Sequence, residues 1–117
     1  MLKLNHKNLD VWKVSLLLIK DIYTLTESYP KSEIFGLTSQ LRRASVSVNS
    51  NIAEGASRRT SAERKRFYEV SRSSLVEIDT QLEISILLNY VRETSLNEIN
   101  NKTNELFAKI TNLINKT

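Results

Sequence analysis

The 117-residue chain has no cysteine, one histidine, one proline and two glycines. The absence of cysteine removes disulfides, thiolate metal sites and thiol nucleophiles together. With His6 as the sole histidine, a nitrogen or sulfur metal site is short of ligands, and no metal or cofactor is expected. No stretch approaches the roughly 18 apolar residues that cross a bilayer. The N-terminal MLKLNHKNLD shows no apolar run followed by a small-residue cleavage site, so the chain reads as cytoplasmic, with no membrane partner. So little Gly and Pro also excludes a β-rich fold, which needs frequent turn punctuation. Helices remain.

The length fits one domain, residues 1–117, with residues 1–8 as an N-terminal tail. Leu9, Trp12, Leu16, Ile19, Tyr23 and Thr26 step by three or four and predict a first helix over about 9–28, with Asn8 as its cap and Pro30 beyond its end. Leu37, Leu41, Ala44, Val48 and Ile52 predict a second, stopping at Gly55, a residue type that tolerates the left-handed position after a helix. Thr60 and Glu63 have capping-box spacing ahead of a third helix, to about Val91, with Phe67, Ser71, Ser74, Leu75, Ile78 and Leu82 on its stripe. Ser95 and Glu98 repeat that spacing before a fourth helix over about 96–115. Four amphipathic helices with short connections make an all-α, antiparallel up-and-down four-helix bundle.

Three helices carry more apolar surface than one stripe needs. LEISILLNYV is apolar around its circumference, Val11, Leu18, Ile22 and Leu25 form a second line on the first helix, and Val46 and Ala53 lie off the Leu41 stripe. Two readings fit, a thick core with a few ordinary exposed apolar groups or self-association, and the excess on three helices together favours self-association, with Leu18, Val46 and Ile84 as candidate subunit contacts.

Charge is concentrated in the middle. Residues 41–72 carry eight basic and three acidic groups, against five and four in residues 1–40 and four and six in residues 73–117. Arg58 and Arg59 fall in a connection, Arg64, Lys65 and Arg66 in the first turns of the next helix, and Arg42 and Arg43 one helix back. The helix dipole opposes cations at a helix N-terminus, so local helix stability does not account for them. Two readings do: a solvated charged face, or a surface for phosphate or an acidic partner. Arg64, Tyr68 and Arg72 recur every four residues, a stripe that can follow a backbone and stack on an unpaired base, although Tyr68 equally suits a subunit boundary.

Chemistry finds little footing. His6 has no neighbouring Arg to complete the acid and base pair of the small helical ribonucleases, and no histidine shares a helix with Ser45, Ser47, Ser50, Ser73 or Ser74 to activate a serine. Asn51 sits on the flank of the core stripe in a structural role, and Glu54 is placed to pair with Arg58 or Arg59. The chain reads as no enzyme.

VWK, EIFGLTSQLRRA, SVNSNIAEG, FYEVSRSSLVEI and the Leu82–Tyr90 run together resemble the four-helix bundle family of proteins encoded in intervening sequences of bacterial 23S ribosomal RNA genes, which is related to the accessory variability determinant protein of diversity-generating retroelements. The sequence departs from that pattern at Ser57, Arg58 and Ser73. The resemblance implies a ring-like homopentamer, and, from the retroelement members, a basic surface for nucleic acid and a reverse transcriptase as protein partner. The reading that follows is a non-enzymatic oligomer presenting Arg42, Arg43, Arg58, Arg59, Arg64, Lys65, Arg66, Tyr68 and Arg72 to RNA or DNA. The alternative is a protein-only adaptor whose basic patch binds an acidic partner, and a small ribonuclease stands third.

Overall fold

In the computed structural model, which describes residues 1–117, the chain is all-helical. Four α-helices, α1 (Asp10–Thr26), α2 (Leu37–Ser57), α3 (Ser61–Leu87) and α4 (Asn97–Lys116), are joined by short connections, and there are no strands. Neighbouring helices run in opposite directions. Ser47 and Ser74 hydroxyls meet at 2.8 Å, and the Ser71 hydroxyl donates to the Val48 carbonyl at 2.7 Å, which aligns α2 against α3. Ion pairs from Lys109 to Asp10 and from Lys102 to Asp21 (2.7 Å) align α4 against α1. The body is elongated, 44 × 28 × 20 Å.

One core runs its length, and its fully buried large side chains are Leu18, Ile22, Leu41, Val48, Ile52, Ile78, Leu96, Leu106 and Ile110. On α1 the buried line is Val11, Ser15, Leu18, Ile22 and Thr26, so the two lines expected there exchange roles except at Thr26. Leu16 and Tyr23 are about two-fifths exposed, whereas Leu18 is fully enclosed and is no subunit contact. The reason is that hydroxyls complete the core line. Ser15 donates to the Trp12 carbonyl (2.7 Å) and Thr26 to that of Ile22 (2.8 Å), so each small polar residue is satisfied inside its own helix and packs as if apolar. Val46 and Ile84 do reach the surface.

Helix ends differ from expectation where tertiary contacts intervene. The Thr60 hydroxyl accepts the Glu63 N–H (3.1 Å), so α3 has its predicted cap. α1 starts after Leu9 with no side-chain cap, and Asn8 belongs instead to a 3-10 turn, Asn5–Asn8. α2 continues through Gly55 to Ser57. Gly55 is buried there because a Cβ would stand 2.6 Å from Tyr68 Cε1 and 3.2 Å from the Arg64 carbonyl oxygen: the glycine lets α2 and α3 touch. α3 ends at Leu87, short of Val91, where Asn89 takes φ 62° and the Tyr90 N–H returns to the Ser85 carbonyl (2.9 Å). Asparagine is the residue other than glycine best suited to that left-handed stop. Ser95 lies in a 3-10 turn, Glu93–Leu96, and does not cap α4. No helix is long and apolar enough to cross a membrane.

Candidate nucleic-acid interface

The nine residues singled out in the sequence do not form one surface. Arg42 closes the end of α1: its Nε donates to Thr26 Oγ1 (2.9 Å), Nη2 lies 3.4 Å from the Tyr23 carbonyl, and the guanidinium stacks 4.5 Å from the Tyr23 ring. A cation on the last carbonyls of a helix is favoured by the helix dipole. Arg43 points to solvent one residue on, but 15 residues of helix, or about 22 Å of rise, separate it from Arg58. Arg72 donates to Thr111 Oγ1 (3.1 Å) and lies over Phe107, holding α3 to α4. These three guanidiniums are away from the α2–α3 connection.

At that connection the other basic groups divide into supports and free charges. Arg58 pairs with Glu54 (3.1 Å), as its spacing suggested, and covers the Phe67 ring at 4.7 Å. Both groups are about half exposed, so the pair contributes about 0 to 1 kcal/mol. Arg64 turns back to the carbonyls of Arg58 (3.3 Å) and Arg59 (2.8 Å) and fixes the course of the loop. Arg59, Lys65 and Arg66 make no hydrogen bond or ion pair within the chain and keep their full donor capacity. Tyr68 is buried, 4% exposed, with its ring against Gly55, so it is not an outward stacking platform between Arg64 and Arg72. Burial raises its phenol pKa, the Arg64 charge opposing, and the hydroxyl stays a neutral donor at physiological pH. Asn51 donates to the carbonyl and hydroxyl of Ser47 in its own helix (2.9 and 3.0 Å), not to a neighbouring backbone.

What the sequence hid is the contribution of the termini. An up-and-down path of four helices returns both chain ends to the end of the bundle that holds the α2–α3 connection, and the Ser61 hydroxyl donates to the Thr117 carbonyl there (2.7 Å). The end built from residues 1–13, 54–69 and 105–117 carries ten basic and five acidic side chains, and the rest of the chain seven and eight. The bundle is therefore polarised along its long axis, +5 against −1. Residues 5–8, expected in a tail, form a turn on the basic end, with the His6 ring edge-on to Trp12 at 5.3 Å. The opposite end carries exposed Ile34, Phe35, Leu87 and Leu88, and there Glu33 accepts from both the Leu37 N–H (3.1 Å) and the Tyr90 hydroxyl (2.8 Å).

Nowhere do three acidic or histidine side chains converge as metal ligands. Residues 7–112 match the family described as 23S rRNA-intervening sequence protein. A crystal structure from Bacteroides thetaiotaomicron VPI-5482, described as a protein with unknown function from the S23 ribosomal protein family, is similar at 22% identity with a TM-score of 0.81, covering 92% of this chain and 96% of that one. At that identity the likeness speaks to fold. No curated protein matches the chain.

Proposed function

We propose that this chain, which belongs to the 23S rRNA-intervening sequence protein family, is a non-enzymatic, oligomeric bundle that meets the phosphates of RNA or DNA with its basic end. The supporting observation is the polarity of the bundle, with Arg59, Lys65 and Arg66 uncommitted at the end that carries the charge surplus. A solvated face needs no such segregation, and a polarised field steers a polyanion to one end. Arg64 and Arg58 act as supports of that surface, Arg72 is spent on Thr111 at its border, and Arg42 and Arg43 lie outside it.

A protein partner fits the other end. Phe35 is 92% exposed and Leu87 77%, outside the basic end, where acidic groups slightly outnumber basic ones, so a partner with apolar and basic groups suits it better than a polyanion does. A reverse transcriptase is one such partner by resemblance alone. The adaptor reading differs in placing the acidic partner on the basic end. Assembly, as a ring of five or another number, draws on exposed Val46, Val70 and Ile84 on α2 and α3.

The test is a salt series. Each phosphate neutralised contributes about −0.9 to the log-log slope on duplex DNA and about −0.7 on single strands. Replacing Arg59, Lys65 and Arg66 together by Gln should flatten that slope by about two on a single strand, equally across sequences because phosphate contacts carry no base readout. A wild-type protein that binds no nucleic acid at low salt, or a triple variant with unchanged affinity and slope, puts the adaptor reading first.

A further inference from the structure

The basic end contains a cavity of about 480 Å³, within the usual range of small-ligand sites. Four separate segments build it: the N-terminal turn, the end of α2, the start of α3 and the end of α4. Leu9, Ala56 and Leu113 supply apolar walls, and Asn5, His6 and Tyr68 supply polar groups. None of those three polar side chains hydrogen-bonds within the chain, and the Tyr68 hydroxyl is not sealed from solvent. Apolar walls with a few unspent donors and acceptors are the build of a site for a small, partly polar ligand, and a nucleic-acid base is one. Basic residues flank the lining along the sequence in every segment, Lys3 and Lys7, Arg59, Lys65 and Lys116, while Arg58 and Arg64 support the connection between them.

We infer that this cavity receives an unpaired base of a single-stranded nucleic acid while the surrounding cations hold its phosphates. The inference rests on the nucleic-acid reading above and adds the substrate class, single strand over duplex. A base within a duplex is stacked and paired and cannot enter a pocket without being flipped out. Phosphate charge matches the rim, and the Asn5 amide, the His6 imidazole and the Tyr68 hydroxyl present donors and acceptors to base edges.

The probe is a short single-stranded oligodeoxynucleotide, compared with the same strand carrying abasic positions, which keeps phosphates and removes bases. Stacking of a base on an aromatic side chain, here the His6 or Tyr68 ring, discriminates roughly five- to 150-fold per base, so the wild-type protein should prefer the intact strand by that factor. Ala56→Leu, which fills the cavity from its wall, should abolish the preference and leave the salt slope intact. Tyr68→Phe, which removes a hydroxyl and keeps the packing, should reduce the preference at an unchanged thermal midpoint and gives a reading even if Ala56→Leu fails to fold. Trp12, the only tryptophan, contacts His6 and should report binding of the intact strand by a change in fluorescence that duplex DNA does not cause. Equal affinity for intact and abasic strands in a protein that binds both overturns the pocket inference and leaves the basic-end reading standing. Binding to neither strand overturns both. A free mononucleotide bound as tightly as the strand overturns the single-strand assignment in favour of a soluble nucleotide.

Discussion

Replacing Gly55 by Ala sets two known magnitudes against each other. In a helix interior the exchange stabilises by about 0.8 to 1.0 kcal/mol, because alanine loses less backbone entropy. Here the new methyl would lie 2.6 and 2.8 Å from two carbons of the Tyr68 ring and 3.2 Å from the Arg64 carbonyl oxygen. Overpacking of this kind costs about 1 to 3 kcal/mol. A contact so far inside van der Waals distance, with backbone close behind the ring, belongs in the upper half of that range, so a net loss of about 1 to 2 kcal/mol is expected. A double-mutant cycle isolates the cause. Once Tyr68→Ala has removed the ring, the same Gly55→Ala change should stabilise by about 0.5 to 1 kcal/mol, giving a coupling of about 2 kcal/mol. Urea unfolding of the four proteins at one protomer concentration measures it, provided that the m-values agree. If Gly55→Ala stabilises the wild-type background as much as the Tyr68→Ala background, α2 and α3 do not make the close contact on which the placement of Tyr68 depends.

The exchange of core lines on α1 predicts that Leu18→Ala costs about 2 to 5 kcal/mol, while Leu16→Ala, at a position 41% exposed, costs under about 1 kcal/mol; thermal or urea unfolding that ranks them the other way refutes it. Hydrogen bonds from Tyr90 and Leu37 lower the Glu33 pKa, so its carboxylate adds stability above the ordinary carboxylate range and loses it as pH falls through the lowered value. Glu33→Gln should therefore be less stable than wild type near neutral pH, with the gap in thermal midpoint closing on acidification; a gap independent of pH contradicts the assignment. Light scattering at micromolar concentration should give the mass of an assembly, near five chains if the ring implied by resemblance forms, and the paired change Val46→Asp and Ile84→Asp should reduce it. A stable wild-type monomer ends the oligomer reading.

The four helices were legible because apolar spacing survives any choice of partner, and the α3 start was legible because its cap is local: Thr60 and Glu63 need nothing else in the chain. The core line of α1 was not, because hydropathy scores Ser15 as a surface residue when its hydroxyl is satisfied by the carbonyl three residues back. Buried Ser45 and Ser85 follow the same rule, and Ser85 donates to the Gln81 carbonyl at 2.8 Å. Gly55 read as a helix stop because its local signature is a stop; only the distance to Tyr68, on another helix, makes it a contact. The stop at Asn89 was missed because the apolar run carried the expected helix through it to about Val91.

The candidate interface was legible in sign but not in composition, and the two failures have one origin. A guanidinium's availability is a tertiary property: Arg42, Arg58, Arg64 and Arg72 are drawn to Thr26, Glu54, two loop carbonyls and Thr111, and of these only Glu54 lies one helical turn away, which is why that pair alone was foreseen. The field is tertiary as well. Summed along the sequence, the surplus belongs to residues 41–72; summed along the bundle axis, Lys3, Lys7, Lys13, Lys109 and Lys116 join the α2–α3 connection, while Arg42 and Arg43 leave it. Four antiparallel helices bring the N-terminus, the C-terminus and the middle connection to the same end, so three weakly basic segments far apart in sequence become one source of field. At physiological ionic strength a charge's field falls off over about 8 Å, well short of the 44 Å length of the body, so the weakly acidic remainder of the bundle cannot cancel that field where a polyanion would arrive.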